Sequence, residues 1–178
     1  MSGRIEVVQL VIILVSVAGA TTDIIRGKIY NILTAPVLIS GILYSLYVGN
    51  FTGSFLAIIA AFFAMSWMFA LRFMGGGDVK FLMALAAWGG LQFALQTTVL
   101  SIILGGIMAV FVLLSRKRFA DFYSRLYVFF LSFFVKGMER GALKIDAKSK
   151  MPFGVPIAIA AIWTVISHPL MKWGLWPW

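Results

Sequence analysis

Long apolar stretches, separated by short polar loops, run along most of this chain of 178 residues. Hydrophobic residues make up 62% of the sequence and charged residues only 12%, and a soluble core of this size requires no such excess. Stretches of roughly 16 to 21 residues recur along most of the length, and about 20 residues cross the hydrocarbon of a bilayer as one helix. The sequence therefore predicts an all-α, polytopic membrane protein, with one compact membrane-embedded domain over residues 1–178.

The hydropathy pattern predicts about six transmembrane helices. Their approximate ranges are 6–22, 32–48, 54–73, 79–88, 93–114 and 152–167. The polar region between 116 and 150 contains one apolar run, YVFFLSFFV, which is too short to cross a bilayer alone, so we expect an amphipathic helix at the membrane interface. The N-terminal segment resembles a signal sequence, but the loop after it continues into further spans, so we expect it to be retained.

Basic residues are concentrated in alternate loops, and the formal net charge is +9. The positive-inside rule accounts for this pattern better than a nucleic-acid partner does, and it places the basic loops in the cytoplasm. The predicted cytoplasmic residues are Arg26, Lys28, Arg72, Lys80 and the region 116–150. We expect the basic clusters at 116–118 and 144–150 to contact anionic lipids, and Trp173, Trp176 and Trp178 to form an aromatic belt on the opposite side.

Two acidic residues lie at the ends of predicted spans, Asp23 in ATTDIIRGKIYN and Asp78 in MGGGDVK. A carboxylate at the edge of a bilayer costs several kcal/mol or becomes neutral, so it is retained mainly where it has a function. An even number of predicted spans separates the two loops, which places both acids at one membrane surface. Two carboxylates within a few Å share a proton, and one acts as base toward water while the other acts as acid toward a carbonyl. The pair therefore predicts the chemistry of an aspartic peptidase.

Each acid also has a structural interpretation. Asp78 would be the N-cap of the helix that follows it, and Asp23 would be a solvated loop residue that balances Arg26 and Lys28. A cap leaves the glycine run 75–77 unexplained, whereas three glycines would let a substrate backbone approach the carboxylate.

Other chemistries fit the sequence less well. The segment GGGDVK has neither the spacing nor the hydroxyl of a phosphate-binding Walker loop. Cysteine is absent, which excludes disulfides, thiolate catalysis and cysteine-ligated zinc. The single histidine, His168, is predicted near the opposite membrane face from the two acids, which leaves them without the usual imidazole partner for a metal. We therefore expect no metal and no organic cofactor.

Three short motifs fall in register along the chain. A D-x-x-x-x-x-I-P-N-like stretch after a span is matched by Asp23, Ile29 and Asn31, with Tyr30 where proline is usual. A Gly-x-Gly-Asp stretch is matched by Gly75, Gly76, Gly77 and Asp78, with Lys80 following. A Pro-Phe-Gly-x-Pro stretch that opens the last span is matched by Pro152, Phe153, Gly154 and Pro156. In this combination the chain resembles the GxGD-type aspartic prepilin peptidases of the type IV prepilin peptidase family.

The resemblance implies that Asp23 and Asp78 are catalytic. It also implies a set of residues that bind substrate or support the loops, namely Gly75, Gly76, Gly77, Lys80, Asn31, Pro152, Phe153 and Gly154. The short form resembles the peptidases of tight-adherence (Flp) pilus systems. It implies a multi-pass enzyme of the bacterial inner membrane that cuts prepilins and pseudopilins, each with a single apolar helix, after a leader glycine on the cytoplasmic side. Larger members carry paired cysteines and also methylate the new N-terminus. N-methylation is not expected here, because cysteine is absent.

Two other functions stay open from the sequence. A small proton-coupled transporter would show paired repeats and broken helices near the middle of the membrane, whereas both acids here lie at span ends. A noncatalytic subunit of a secretion or pilus assembly complex would pair its acids with cations of a partner. The sequence also leaves open the oligomeric state and which aspartate is the base.

Overall fold

The computed structural model describes residues 2–70, 74–115 and 152–167, which form helices and connecting turns. The helices are α1 (Ser2–Arg26), α2 (Asn31–Val48), α3 (Phe51–Ala70), α4 (Gly76–Ser115) and α5 (Gly154–Ser167). The predicted interfacial helix, Arg72, His168 and the C-terminal tryptophans lie outside the described residues.

Four of the described helices are long and apolar enough to cross a membrane. These segments are Val7–Arg26, Asn31–Val48, Phe51–Ala70 and Gly76–Phe111. α4 is broken at Gly90, where φ is 77° and ψ is 179°, and this break separates the two segments that were predicted as the fourth and fifth spans. α5 is apolar but shorter, with 14 residues. The prediction of an all-α polytopic membrane protein is thus confirmed.

Several predicted helix boundaries differ from the structure. The third span was expected from residue 54, but α3 begins at Phe51. Two further differences lie beside the acids. The first span was expected to end at Thr22, but α1 continues to Arg26, with the N–H of Gly27 donating to the carbonyl of Asp23 at 2.8 Å. Gly27 then ends the helix with a φ of +60°, a backbone conformation that favours glycine. The fourth span was expected from Val79, but α4 begins at Gly76. Both aspartates therefore lie within helices, which fix the direction of each Cα–Cβ bond.

One face of α1 is buried along its length and carries the first acid. The buried residues recur at helical spacing and are Val8, Ile12, Ser16, Gly19 and Asp23. This helix packs along α5. Near its end, the ring of Phe81 from α4 lies directly against Gly19, where a Cβ would overlap it. Because Gly19 is one turn before Asp23 and Phe81 is one turn after Asp78, this contact brings the two acid-bearing helix ends together.

The part of α4 before Gly90 lies among α1, α2 and α3. At its far end the Nε1 of Trp88 donates to the carbonyl of Val37 at 3.0 Å, and the Trp88 ring stacks on Tyr44 with centroids 5.0 Å apart. The hydroxyl of Ser54 donates to the carbonyl of Ala87 at 2.7 Å. These contacts place the turn between α2 and α3 at the opposite end of the described helices from the two acids.

The contacts divide the chain into two compact units, residues 1–105 with 151–178, and residues 106–150. All described residues of the candidate site belong to the first unit. The expectation of one domain over the whole chain stays a prediction.

Candidate active site

Asp23 is buried in the last turn of α1, with 5% of its surface exposed. Its Oδ2 accepts a hydrogen bond of 2.7 Å from the N–H of Gly154, the first residue of α5. A Cβ at Gly154 would lie 2.8 Å from that oxygen and 3.1 Å from the Cβ of Asp23, so the approach requires glycine. The interpretation of Asp23 as a solvated loop acid is therefore wrong.

The basic residues expected to balance Asp23 are exposed. Arg26 donates from Nη1 to the hydroxyl of Tyr30 at 3.3 Å, and its guanidinium carbon lies 5.7 Å from the centroid of that ring. Lys28 is exposed in the loop between α1 and α2. Tyr30, which stands where the resemblance expects proline, thus provides a contact for Arg26 at the edge of the site.

Asp78 is buried in the first turn of α4, with 7% of its surface exposed. Its Oδ2 accepts a hydrogen bond of 2.9 Å from the N–H of Gly75, and its own N–H donates to the carbonyl of Gly75 at 3.1 Å. Because α4 starts at Gly76, Asp78 is the third helical residue and reaches back over the first turn, as the acidic residue of a capping box does. The predicted N-cap position was therefore wrong, although Asp78 does stabilise the helix start.

The two carboxylates have matching surroundings. Each accepts a hydrogen bond from a glycine N–H at the N-terminal end of a helix, α5 for Asp23 and α4 for Asp78. The N-terminal end of a helix carries partial positive charge, which attracts a carboxylate. The arrangement holds two buried carboxylates, each against one backbone donor, at the same end of the described helices.

The loop between α1 and α2 lies against both helix starts. A Cβ at Gly77 would lie 3.0 Å from the carbonyl oxygen of Ile29, and a Cβ at Gly154 would lie 2.7 Å from the Cδ1 of Ile29. The residue next to Asp78 and the residue that binds Asp23 therefore contact the same isoleucine. The structure places both acids at one end of the described helices.

The remaining predicted site residues near the starts of α4 and α2 differ in their exposure and in what they contact. Lys80 is exposed, and its Nζ donates to the Oδ1 of Asn31 at 3.0 Å, which ties α4 to the start of α2. A Cβ at Gly75 would lie 3.4 Å from the Oδ2 of Asp78. A Cβ at Gly76 would meet only Phe69, at 3.5 Å, an ordinary van der Waals contact.

The stretch that opens α5 completes the site. The carbonyl of Pro152 accepts the N–H of Val155 at 3.3 Å, which starts the first turn. Phe153 is buried, and its ring lies against Gly105 of α4, where a Cβ would overlap it. This packing of Phe153 against Gly105 holds the N–H of Gly154 toward Asp23.

The roles of Gly19 and Gly105 were not predicted from the sequence. The available signal for Gly19 was its position one turn before Asp23 on the same helical face. Gly105 is followed by a second glycine, and a Cβ at Gly106 would meet nothing within 4 Å.

Within residues 2–70, 74–115 and 152–167, no group of three or more His, Cys, Asp or Glu side chains is placed to hold a metal ion. The predicted independence from metal stays a prediction.

Comparison with known proteins gives one family. A family model described as the type IV leader peptidase family matches residues 10–110. The match includes both aspartates, the glycine run and the loop between α1 and α2, whereas the stretch 152–156 lies beyond it. No curated protein and no solved structure gives a significant match.

Proposed function

The chain belongs to the type IV leader peptidase family, whose model matches residues 10–110 of its 178, and on that premise we propose an aspartic endopeptidase that removes leaders from Flp-type prepilins and pseudopilins. The family implies a peptidase and prepilin substrates. The aspartic mechanism, the Flp-type substrate and the side of the membrane are our proposals.

One observation carries the catalytic assignment. Asp23 and Asp78 are both buried at the same end of the helices, and each is held through one oxygen by a glycine N–H. In the proposed reaction one carboxylate takes a proton from water while the other, protonated, gives its proton to the scissile carbonyl oxygen. The hydrated intermediate then breaks at the C–N bond, and a proton returns to the leaving amine. The reaction needs no cofactor.

The glycine run suits the approach of an extended peptide. Gly75 is exposed immediately beside the Asp78 carboxylate, and Gly76 meets only one neighbouring ring. An extended substrate backbone needs close access to the catalytic oxygens, and a side chain at Gly75 would stand in its path. We propose that the leader peptide crosses this surface while the apolar helix of the prepilin stays in the lipid.

Charge supports the orientation of the site. Arg26, Lys28 and Lys80 are exposed at the same end as the two acids. Basic residues beside membrane spans face the cytoplasm, where they also contact anionic lipids. We therefore propose that cleavage takes place at the cytoplasmic face of a bacterial inner membrane.

A cleavage assay with two substrate classes tests the proposed function. The purified protein is incubated in detergent with an Flp-type prepilin and, separately, with a prepilin of another pilus type, and the products are mapped by mass spectrometry. We expect cleavage after the leader glycine of the Flp-type prepilin, faster than for the other substrate. A chain with both aspartates changed to Asn is the negative control. No cleavage by the parent would favour a noncatalytic assembly subunit, and equal cleavage of both substrates would contradict Flp selectivity.

A further inference from the structure

We propose that Ile29 is a positioning residue that sets the separation of the two aspartates. The inference rests on the proposed function, because the separation matters only if Asp23 and Asp78 act together. Ile29 does not itself contact substrate in this proposal. Its action runs through Gly77 and Gly154, which adjoin the two acids.

The first contact joins Ile29 to α4 through the backbone. A Cβ at Gly77 would lie 3.0 Å from the carbonyl oxygen of Ile29 and 3.6 Å from its nitrogen. Gly77 immediately precedes Asp78 in the first turn of α4. The distance between the loop and the α4 start is therefore set by backbone atoms, which a change of the Ile29 side chain leaves in place.

The second contact joins Ile29 to α5 through the tip of its side chain. A Cβ at Gly154 would lie 2.7 Å from the Cδ1 of Ile29, and Gly154 donates its N–H to Asp23. The size of the Ile29 side chain therefore sets the distance between the loop and the start of α5. Removing a single methyl group from Ile29 changes this contact and leaves the contact with Gly77.

The loop holds Ile29 in place by inserting it between the helices. Ile29 is 8% exposed, whereas its neighbours Lys28 and Tyr30 are exposed. The chain enters from Gly27, whose φ is +60°, and α2 begins at Asn31. Ile29 is thus the buried residue of a four-residue connection, and it lies against the starts of both α4 and α5.

Catalysis by a pair of groups depends steeply on their separation, since a misplacement of about 1 Å costs about 10²-fold in rate. For Ile29→Val we expect kcat per folded molecule to fall by roughly 5- to 50-fold, while KM stays within about twofold. The matched control is Ile25→Val, because Ile25 lies in the same region and is 72% exposed. The control should keep both constants. An unchanged kcat for Ile29→Val, or an equal fall for Ile25→Val, would overturn the proposal.

Combining this change with two glycine substitutions separates positioning from general packing. Gly154→Ala brings a methyl group against the Cδ1 of Ile29, so adding Ile29→Val should restore kcat by about threefold or more. The restoration is partial, because the new methyl also approaches Asp23. In Gly77→Ala the new methyl meets the Ile29 carbonyl, so Ile29→Val should restore nothing. Equal effects of Ile29→Val in both backgrounds would overturn the proposal.

A cross-linking experiment measures the separation without activity. Asp23→Cys and Asp78→Cys introduce the only cysteines of the chain, and a short bifunctional thiol reagent reports their distance. We expect Ile29→Ala to change the cross-linking rate by about threefold or more, while Ile25→Ala leaves it unchanged. If Ile29→Ala leaves the cross-linking rate unchanged, while the parent with both aspartates cleaves prepilin, the positioning role alone is overturned. A parent that cleaves no prepilin overturns the proposed function itself, and the catalytic role of the spacing with it.

Discussion

The Oδ2 of Asp23 accepts a hydrogen bond of 2.7 Å from the N–H of Gly154, which lies 131 residues further along the chain. This bond joins the last turn of α1 to the first turn of α5. The family match ends at residue 110, so the bond also joins the matched region to a stretch outside it. The opening of α5 therefore contacts the proposed active site directly, and the N–H of Gly154 orients the Asp23 carboxylate.

The glycine run should tolerate substitution unequally. Gly77→Ala places a methyl group 3.0 Å from the backbone carbonyl of Ile29, which cannot move aside as a side-chain tip does, so activity should fall by about tenfold or more. Gly76→Ala is the matched control, because its methyl group meets only Phe69 at an ordinary 3.5 Å. It should keep activity and raise stability by up to about 1 kcal/mol, since alanine favours the helix. Prepilin cleavage rates and thermal unfolding in detergent check both; a fully active Gly77→Ala would contradict the close contact.

The hydrogen bond between Lys80 and Asn31 should contribute little. It is exposed, with 3.0 Å between Nζ and Oδ1, and exposed polar pairs contribute about 0.2 to 1 kcal/mol. Lys80→Met should therefore lower the free energy of unfolding by less than about 1 kcal/mol and keep cleavage within about threefold. Lys28→Met is the control, since Lys28 is exposed at the same end. A hundredfold loss of activity for Lys80→Met alone would show that the ammonium group binds substrate.

Topology can be measured directly, because the chain has no cysteine. Single cysteines at Lys28 and Lys80 should react with a membrane-impermeant thiol reagent from the cytoplasmic side of the membrane. A cysteine at Thr52, which is exposed beside the turn between α2 and α3, should react from the other side. Labelling of the Lys28 and Lys80 positions from opposite sides would contradict a shared site for the two aspartates.

Chelation tests the proposed role of the carboxylates. Acid and base catalysis by a carboxylate pair needs no metal, so the purified protein should cleave prepilin at an unchanged rate after prolonged EDTA treatment. Loss of activity on chelation, restored by zinc or manganese, would instead make the aspartates metal ligands.

The sequence predicted the parts of the site that follow from local sequence pattern and from the free-energy cost of burying a carboxylate. Burying a carboxylate near a bilayer is expensive. This cost drew attention to Asp23 and Asp78, and their predicted placement at one membrane surface and the glycine run supported the pair. Hydropathy likewise predicted the helices, and the break at Gly90 falls between the predicted spans 79–88 and 93–114.

Helix ends and long-range contacts were less predictable. A polar residue at the end of an apolar run fits a loop or a last helical turn equally well, which is why Asp23 was placed in a loop although α1 continues to Arg26. The contacts of Ile29 with the starts of α4 and α5 involve three segments that are distant in sequence. Nothing in the local pattern shows that Gly77 and Gly154 contact the same side chain.

Replacing each aspartate by asparagine separates catalysis from helix capping. The amide oxygen of Asn can still accept the N–H of Gly154 or Gly75, so Asp23→Asn and Asp78→Asn should change stability by about 1 kcal/mol or less. An amide cannot exchange the proton that the reaction needs. Losing the acid or base role costs about 10² to 10⁴ in rate, and more when both groups act as a unit.

The most direct measurement is therefore the rate of prepilin cleavage by the two single Asn variants and the double variant, each purified and correctly folded. We predict that each single variant is essentially inactive and that the double variant is hardly worse than either, because the pair acts as a unit. Expression and thermal unfolding should stay close to those of the parent. Near-normal cleavage by either single variant would contradict the assignment of that aspartate and, with it, the proposed catalytic pair.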